Sequence, residues 1–131
     1  MEFSGPYFSV LTERTFNFEH VGDTTGKKYE GMFTVLCVLN IGQKHALGLE
    51  KTRLLGNYEN PTDDLAGLAV ILSNLRHKIV DGPEWWKQSA GGSLLEDEDT
   101  LVLLYRKVQE AEVQWREDIK KKTQKTEQTS P

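Results

Sequence analysis

At 131 residues the chain is long enough for one domain of ordinary size, and a hydrophobic share of 37% describes a polar protein with one modest core. Its net charge of -4 argues against a dedicated nucleic-acid binder, whose affinity would come from neutralising phosphates. No apolar run is longer than the five residues of Val35 to Leu39, far short of the roughly 20 residues that cross a bilayer. The single cysteine, Cys37, excludes an intramolecular disulfide framework and a multi-thiolate zinc site. No basic start, apolar stretch and small-residue cleavage site stand together near Met1, so no signal peptide is expected and a reducing cytosol is the natural setting.

Residues 1–13 read as an arm. Gly5-Pro6 breaks regular structure, yet Phe3, Tyr7, Phe8, Val10 and Leu11 are too apolar to be left in water. Such an arm packs on its own domain or docks on a partner. Residues 14–122 then read as a single domain. From Thr15 to Val21 the pattern alternates, with Phe16, Phe18 and His20 on one face, which predicts a strand. A turn-rich Gly22-Asp23-Thr24-Thr25-Gly26 leads to a second strand over Lys28 to Leu39. Tyr29, Gly31, Phe33, Val35, Cys37 and Leu39 share one face of it. Gly31 inside that strand marks a bulge or a close approach of another backbone. A hairpin alone is marginal in water, so it must pack on helices or gain strands from the arm or another subunit.

Asn40, three residues before Gln43, has the chemistry of a capping box, and it opens a helix over Ile41 to Leu55 that Gly56 stops. Gly48 within it reads as a point where another element approaches closely. Beyond Asn60-Pro61, with Thr62 or Asp63 as cap, Leu65, Leu68, Leu72, Leu75 and Ile79 recur at spacings of three and four. They predict a second helix, antiparallel to the first, ended by Asp81-Gly82-Pro83. A loop follows from Pro83 through Gly92. The acidic run Glu96-Asp97-Glu98-Asp99 introduces a third helix, where carboxylates suit the positive end of the dipole. Leu101, Tyr105, Val108, Trp115 and Ile119 lie on one face of that helix, with Leu104 and Ala111 beside them. Residues 123–131 have nothing to bury and read as a disordered tail. The expected class is α+β: an N-terminal antiparallel β-hairpin packed on three α-helices, the last long.

The search for chemistry finds no H-E-x-x-H, no P-loop and no serine nucleophile elbow. His20, His45 and His77 share no spacing. The acidic run lacks the alternation and glycine turn of an EF-hand loop. Cys37, in an apolar strand, reads as a buried small hydrophobe rather than a nucleophile. No catalytic residue, metal site or cofactor is therefore expected, and the chain does not read as an enzyme. Trp85-Trp86 is different. Neighbouring side chains often diverge, so either one indole plugs the end of the helical pair while the other lies flat on the surface, or the pair makes a partner contact, where tryptophan is a frequent hot spot.

The stretch Leu75-Arg76-His77-Lys78-Ile79-Val80-Asp81-Gly82-Pro83-Glu84-Trp85-Trp86-Lys87, with Gly91-Gly92, the acidic helix start and the amphipathic helix after it, resembles small morphogenesis proteins of tailed bacteriophages. The strand from Gly31 to Leu39 and the capped helix leading to Leu54-Leu55-Gly56 look like this group as well, so the resemblance spans roughly Tyr29 to Arg116. Some such proteins are similar to tail assembly chaperones, which shield the tape measure protein while the tail is built; others are minor virion components. The resemblance implies a binding or assembly role in the host cytoplasm, or within the virion, with no cofactor. It implies phage structural proteins as partners, not nucleic acid or membrane, and is compatible with a homo-oligomer. It carries over no binding residues. Phe3, Tyr7, Phe8, Trp85 and Trp86 are the candidate partner-contact residues, chosen on their own chemistry. Two alternatives stand beside the chaperone: a virion structural component (decoration or head-to-tail joining) and a small inhibitor or adaptor acting on a host protein.

Overall fold

The hairpin exists, and it gains its third strand from within the chain. The computed structural model describes residues 12–56 and 63–129, with backbone alone at 63 and 122–129. The arm with Phe3, Tyr7 and Phe8 lies outside these, apart from its last two positions. β1 (Glu13–Val21) and β2 (Lys28–Leu36) pair antiparallel, and β3 (Ile79–Asp81) adds to the far side of β2, giving the order β1-β2-β3. Three residues are too few to show a period, which is why Ile79 reads from sequence as the end of a helical stripe. A register shift at Thr34/Val35 accommodates the added strand.

Period-2 patterning is obeyed closely. Phe18 on β1 and Tyr29, Phe33 and Val35 on β2 are buried, while Thr15, Asn17, Glu19 and Met32 face out. β2 ends at Leu36 rather than Leu39, because Leu36 pairs with Glu13, the first residue of β1. Cys37 still donates its N–H to the Thr12 carbonyl at 2.7 Å, and the inward face continues through buried Cys37 and Leu39.

Gly31 sits at φ +149°, a region that residues with a Cβ rarely adopt, and a Cβ there would lie 2.6 Å from the Cβ of Pro83. The close approach expected at this position is thus made by a proline ring. Gly31→Ala is expected to cost about 2 kcal/mol from strain plus overpacking. In a Pro83→Ala background the cost should shrink, and urea denaturation of the four variants in that cycle measures it.

The helices follow: α1 (Ile41–Leu55), α2 (Asp63–Lys78), a single turn α3 (Glu84–Lys87) inside what reads as a plain loop, and α4 (Glu98–Thr129). The capping box is present in full: Asn40 Oδ1 accepts from the Gln43 N–H and Gln43 Oε1 accepts from the Asn40 N–H, both at 2.8 Å. Lys44 and Leu47 of α1 border the same groove as Asn74 and Lys78 of α2, as an antiparallel pair with a short link requires. α1 has no buried residue, and Gly48, expected at a close approach, faces open space. What ties α1 to α2 includes Glu50, which accepts from Arg76 Nη1 at 2.8 Å.

α4 lies against β1 and α2. Leu101, Leu104 and Val108 are buried on it, with Tyr105, Ala111 and Trp115 half-buried against the same core. Its backbone stays helical to Thr129, beyond Lys122 where the composition turns polar. Gln, Lys and Glu have good helix propensity, and extending an existing helix adds one hydrogen bond per residue fixed. The core is completed by Phe16 stacked on Phe33 at 5.7 Å and by Phe18 edge-on to Phe33 at 5.9 Å.

Candidate functional site

Trp85 and Trp86 are held by a turn that folds for local reasons. Pro83 starts α3, and its carbonyl accepts from the N–H groups of Trp86 and Lys87. Ser89 closes the turn, donating its hydroxyl to the Trp86 carbonyl at 2.7 Å and accepting the Gly92 N–H at 2.9 Å. On so short a helix the two indoles diverge. Trp86 is buried, edge-on to Phe33 at 6.2 Å, and borders a depression of about 240 Å³ with Val80, Gly82 and Lys87.

Trp85 is half-buried on the other side. Its ring meets Tyr29 at 5.0 Å, Phe33 at 5.6 Å and Phe18 at 6.0 Å, and Nε1–H donates to the Glu30 carbonyl at 3.0 Å. Both indoles are therefore parts of the core packing. Trp85, the less buried of the two, borders an open depression of about 210 Å³ together with Tyr29, Ser89, Leu94 and Leu95. Leu94 is 68% exposed, and the Lys27–Glu96 ion pair at 3.1 Å borders the same hollow. The structure thus brings one of the two adjacent indoles to a surface and withdraws the other. Leu94 escapes notice in the sequence; its only signal is an apolar Leu94-Leu95 pair between two glycines and an acidic run.

The acidic run holds this surface to the β1–β2 turn. Asp97 is fully buried. Its Oδ1 accepts from the N–H groups of Thr24 (2.8 Å) and Thr25 (2.9 Å), and its Oδ2 accepts from the hydroxyls of Thr25 (2.5 Å) and Tyr29 (2.6 Å). Asp99 Oδ2 accepts from the Asp23 N–H at 3.1 Å and from His20 Nε2 at 2.5 Å; because an ionised carboxylate only accepts, that ring nitrogen carries the hydrogen. These bonds set the titration. The Thr25 and Tyr29 hydroxyls hold the Asp97 carboxyl far below the usual carboxylate range, and the His20 ring does the same, less strongly, for Asp99. Burial, and secondarily the hydrogen bond to Asp97, push the Tyr29 phenol up, so it remains a donor.

The acidic run is therefore a clamp between the start of α4 and a distant turn. Among the described residues, no three His, Cys, Asp or Glu side chains are grouped so as to hold a metal ion. Cys37 is buried and its thiol is pushed up by that burial, with Sγ 3.6 Å from the Ala111 carbonyl oxygen. His45 is exposed on α1, and His77 lies 3.4 Å from Glu50 on the α1–α2 face, so the three histidines share no site. No described helix is long and apolar enough to cross a membrane.

Arranged this way, the surface offers a fixed aromatic face beside an exposed leucine, suited to receiving an apolar side chain. Comparison with protein-family models, with curated proteins and with solved structures found no match.

Proposed function

We propose that this chain is a non-enzymatic bacteriophage morphogenesis protein that acts by protein–protein contact in the host cytoplasm, in the manner of a tail assembly chaperone. The residues from Leu75 to Lys87 carry the resemblance. The supporting observation is the state of Trp85: locked by the Glu30 carbonyl and three aromatic neighbours, yet open to a hollow rimmed by exposed Leu94. An aromatic anchor that is rigid before binding loses little side-chain entropy on contact, which is what makes such residues hot spots. A chaperone of this kind covers an apolar stripe on a long helical client until the mature partner replaces it.

One feature favours a virion structural component as the second reading: Val21, Met32 and Val80 on the strands are more than half exposed, offering apolar area to a neighbour. A tagged chain recovered from particle-producing cells, with mass spectrometry of the eluate and of purified particles, separates the two. Recovery with a long helical tail protein and absence from finished particles supports the chaperone. A fixed stoichiometry in particles replaces it with the structural component, and a host protein alone in the eluate sinks both. Leu94→Asp is expected to cut recovery of the client about tenfold while moving the melting temperature by no more than about 2 °C, since Leu94 is exposed.

A further inference from the structure

A second surface shares no lining residue with the Trp85 hollow. It is an open groove of about 370 Å³ between the end of β2, the start of α1, the end of α2 and the middle of α4. Its apolar lining comes from Val38, Leu39 and Leu47, of which Val38 is 39% exposed. Lys78 and Glu112 form one ion pair there, at 2.5 Å, and largely cancel each other. Lys44 and Arg116 also line the groove, are exposed, and form no ion pair among the described residues. The groove therefore carries three cations against one carboxylate in a chain whose net charge is -4.

Unpaired cations beside an apolar floor select by charge. A carboxylate reaching Lys44 or Arg116 gains attraction without breaking an existing pair, and an apolar side chain beside it displaces water from Val38 and Leu47. The volume suits a few side chains rather than a folded domain. We infer that this groove docks an acidic amphipathic peptide segment of a partner protein, with apolar side chains against Val38, Leu39 and Leu47 and carboxylates facing Lys44 and Arg116. A basic segment is rejected by the same two cations.

The test is fluorescence anisotropy with the full chain and a labelled synthetic peptide of about fourteen residues, with leucines on one helical face and glutamates flanking them. A matched peptide carries lysines in place of the glutamates. The acidic peptide is expected to bind at least about tenfold tighter, with the advantage shrinking between about 50 and 300 mM salt. Lys44→Glu combined with Arg116→Glu should abolish that advantage. Both sites are exposed, and Lys44→Gln with Arg116→Gln serves as the milder pair if the first lowers the melting temperature. Equal binding of the two peptides, no binding by the full chain, or unchanged binding by the variants overturns the inference. Binding that emerges only when Phe3→Ser and Phe8→Ser are introduced overturns it in favour of the chain's own N-terminal segment. Self-association in sedimentation velocity that the charge variant abolishes, without peptide binding, overturns it in favour of a second copy.

Discussion

Asp97→Ala is expected to lower the melting temperature by roughly 10–15 °C, read by far-ultraviolet circular dichroism. The carboxylate answers four donors at once: two backbone N–H groups and the hydroxyls of Thr25 and Tyr29. Alanine leaves all four without their acceptor, three of them on the β1–β2 turn, which Asp99 also holds through the Asp23 N–H. Fit is as demanding as charge here. A Cβ on Gly22 would lie 2.2 Å from Asp97 Cγ, so the turn can close on the carboxylate only with glycine at that position. Asp97→Asn keeps the shape but turns one acceptor into a donor facing donors, and it should recover only part of the loss. A melt for Asp97→Ala within about 3 °C of wild type would refute the clamp.

The same contacts fix the sign of the acid response. Asp97, Asp99 and Glu50 all have folded-state values below the ordinary carboxylate range: Asp97 through the Thr25 and Tyr29 hydroxyls, Asp99 through His20, Glu50 through the Arg53 and Arg76 guanidiniums. A carboxylate depressed by folding contributes stability that is present above its unfolded value, about pH 4, and is lost as pH falls through the folded value. Melting temperature should therefore drop steadily below about pH 4. The gap between wild type and Asp97→Ala should narrow over the same range, because protonation removes from the wild type what the substitution has already removed.

Trp86→Ala is expected to cost about 3–5 kcal/mol in urea denaturation. The indole is buried against Phe33, and its loss leaves a cavity in the core. Trp85→Ala should also destabilise, through its three ring contacts and the bond to Glu30, so neither tryptophan alone reports on partner binding. Leu94 is the residue that separates contact from stability. An unfolding free energy for Trp86→Ala within about 1 kcal/mol of wild type would mean that the site repacks and that the core is less specific than its geometry implies.

Features that depend on neighbours along the chain are legible in the amino-acid sequence. The alternation that buries Phe18, Tyr29, Phe33 and Val35, the Asn40–Gln43 capping box and the stripe through Leu101, Leu104 and Val108 are set within a few residues of each other. They could be read because side-chain direction repeats every two residues in a strand and every 3.6 in a helix. What each element meets is set by packing between segments far apart in the chain. Three residues of β3 become a strand solely because β2 offers a free edge. Asp97 sits more than seventy residues from Thr25, so nothing nearby marks it as the acceptor for that turn. Of two identical adjacent indoles, packing sends Trp86 inward and leaves Trp85 at a hollow. Lys44 and Arg116 border one groove only because β2, α1, α2 and α4 converge there. Burial and charge complementarity are properties of surfaces, and a surface is assembled from residues distant in sequence.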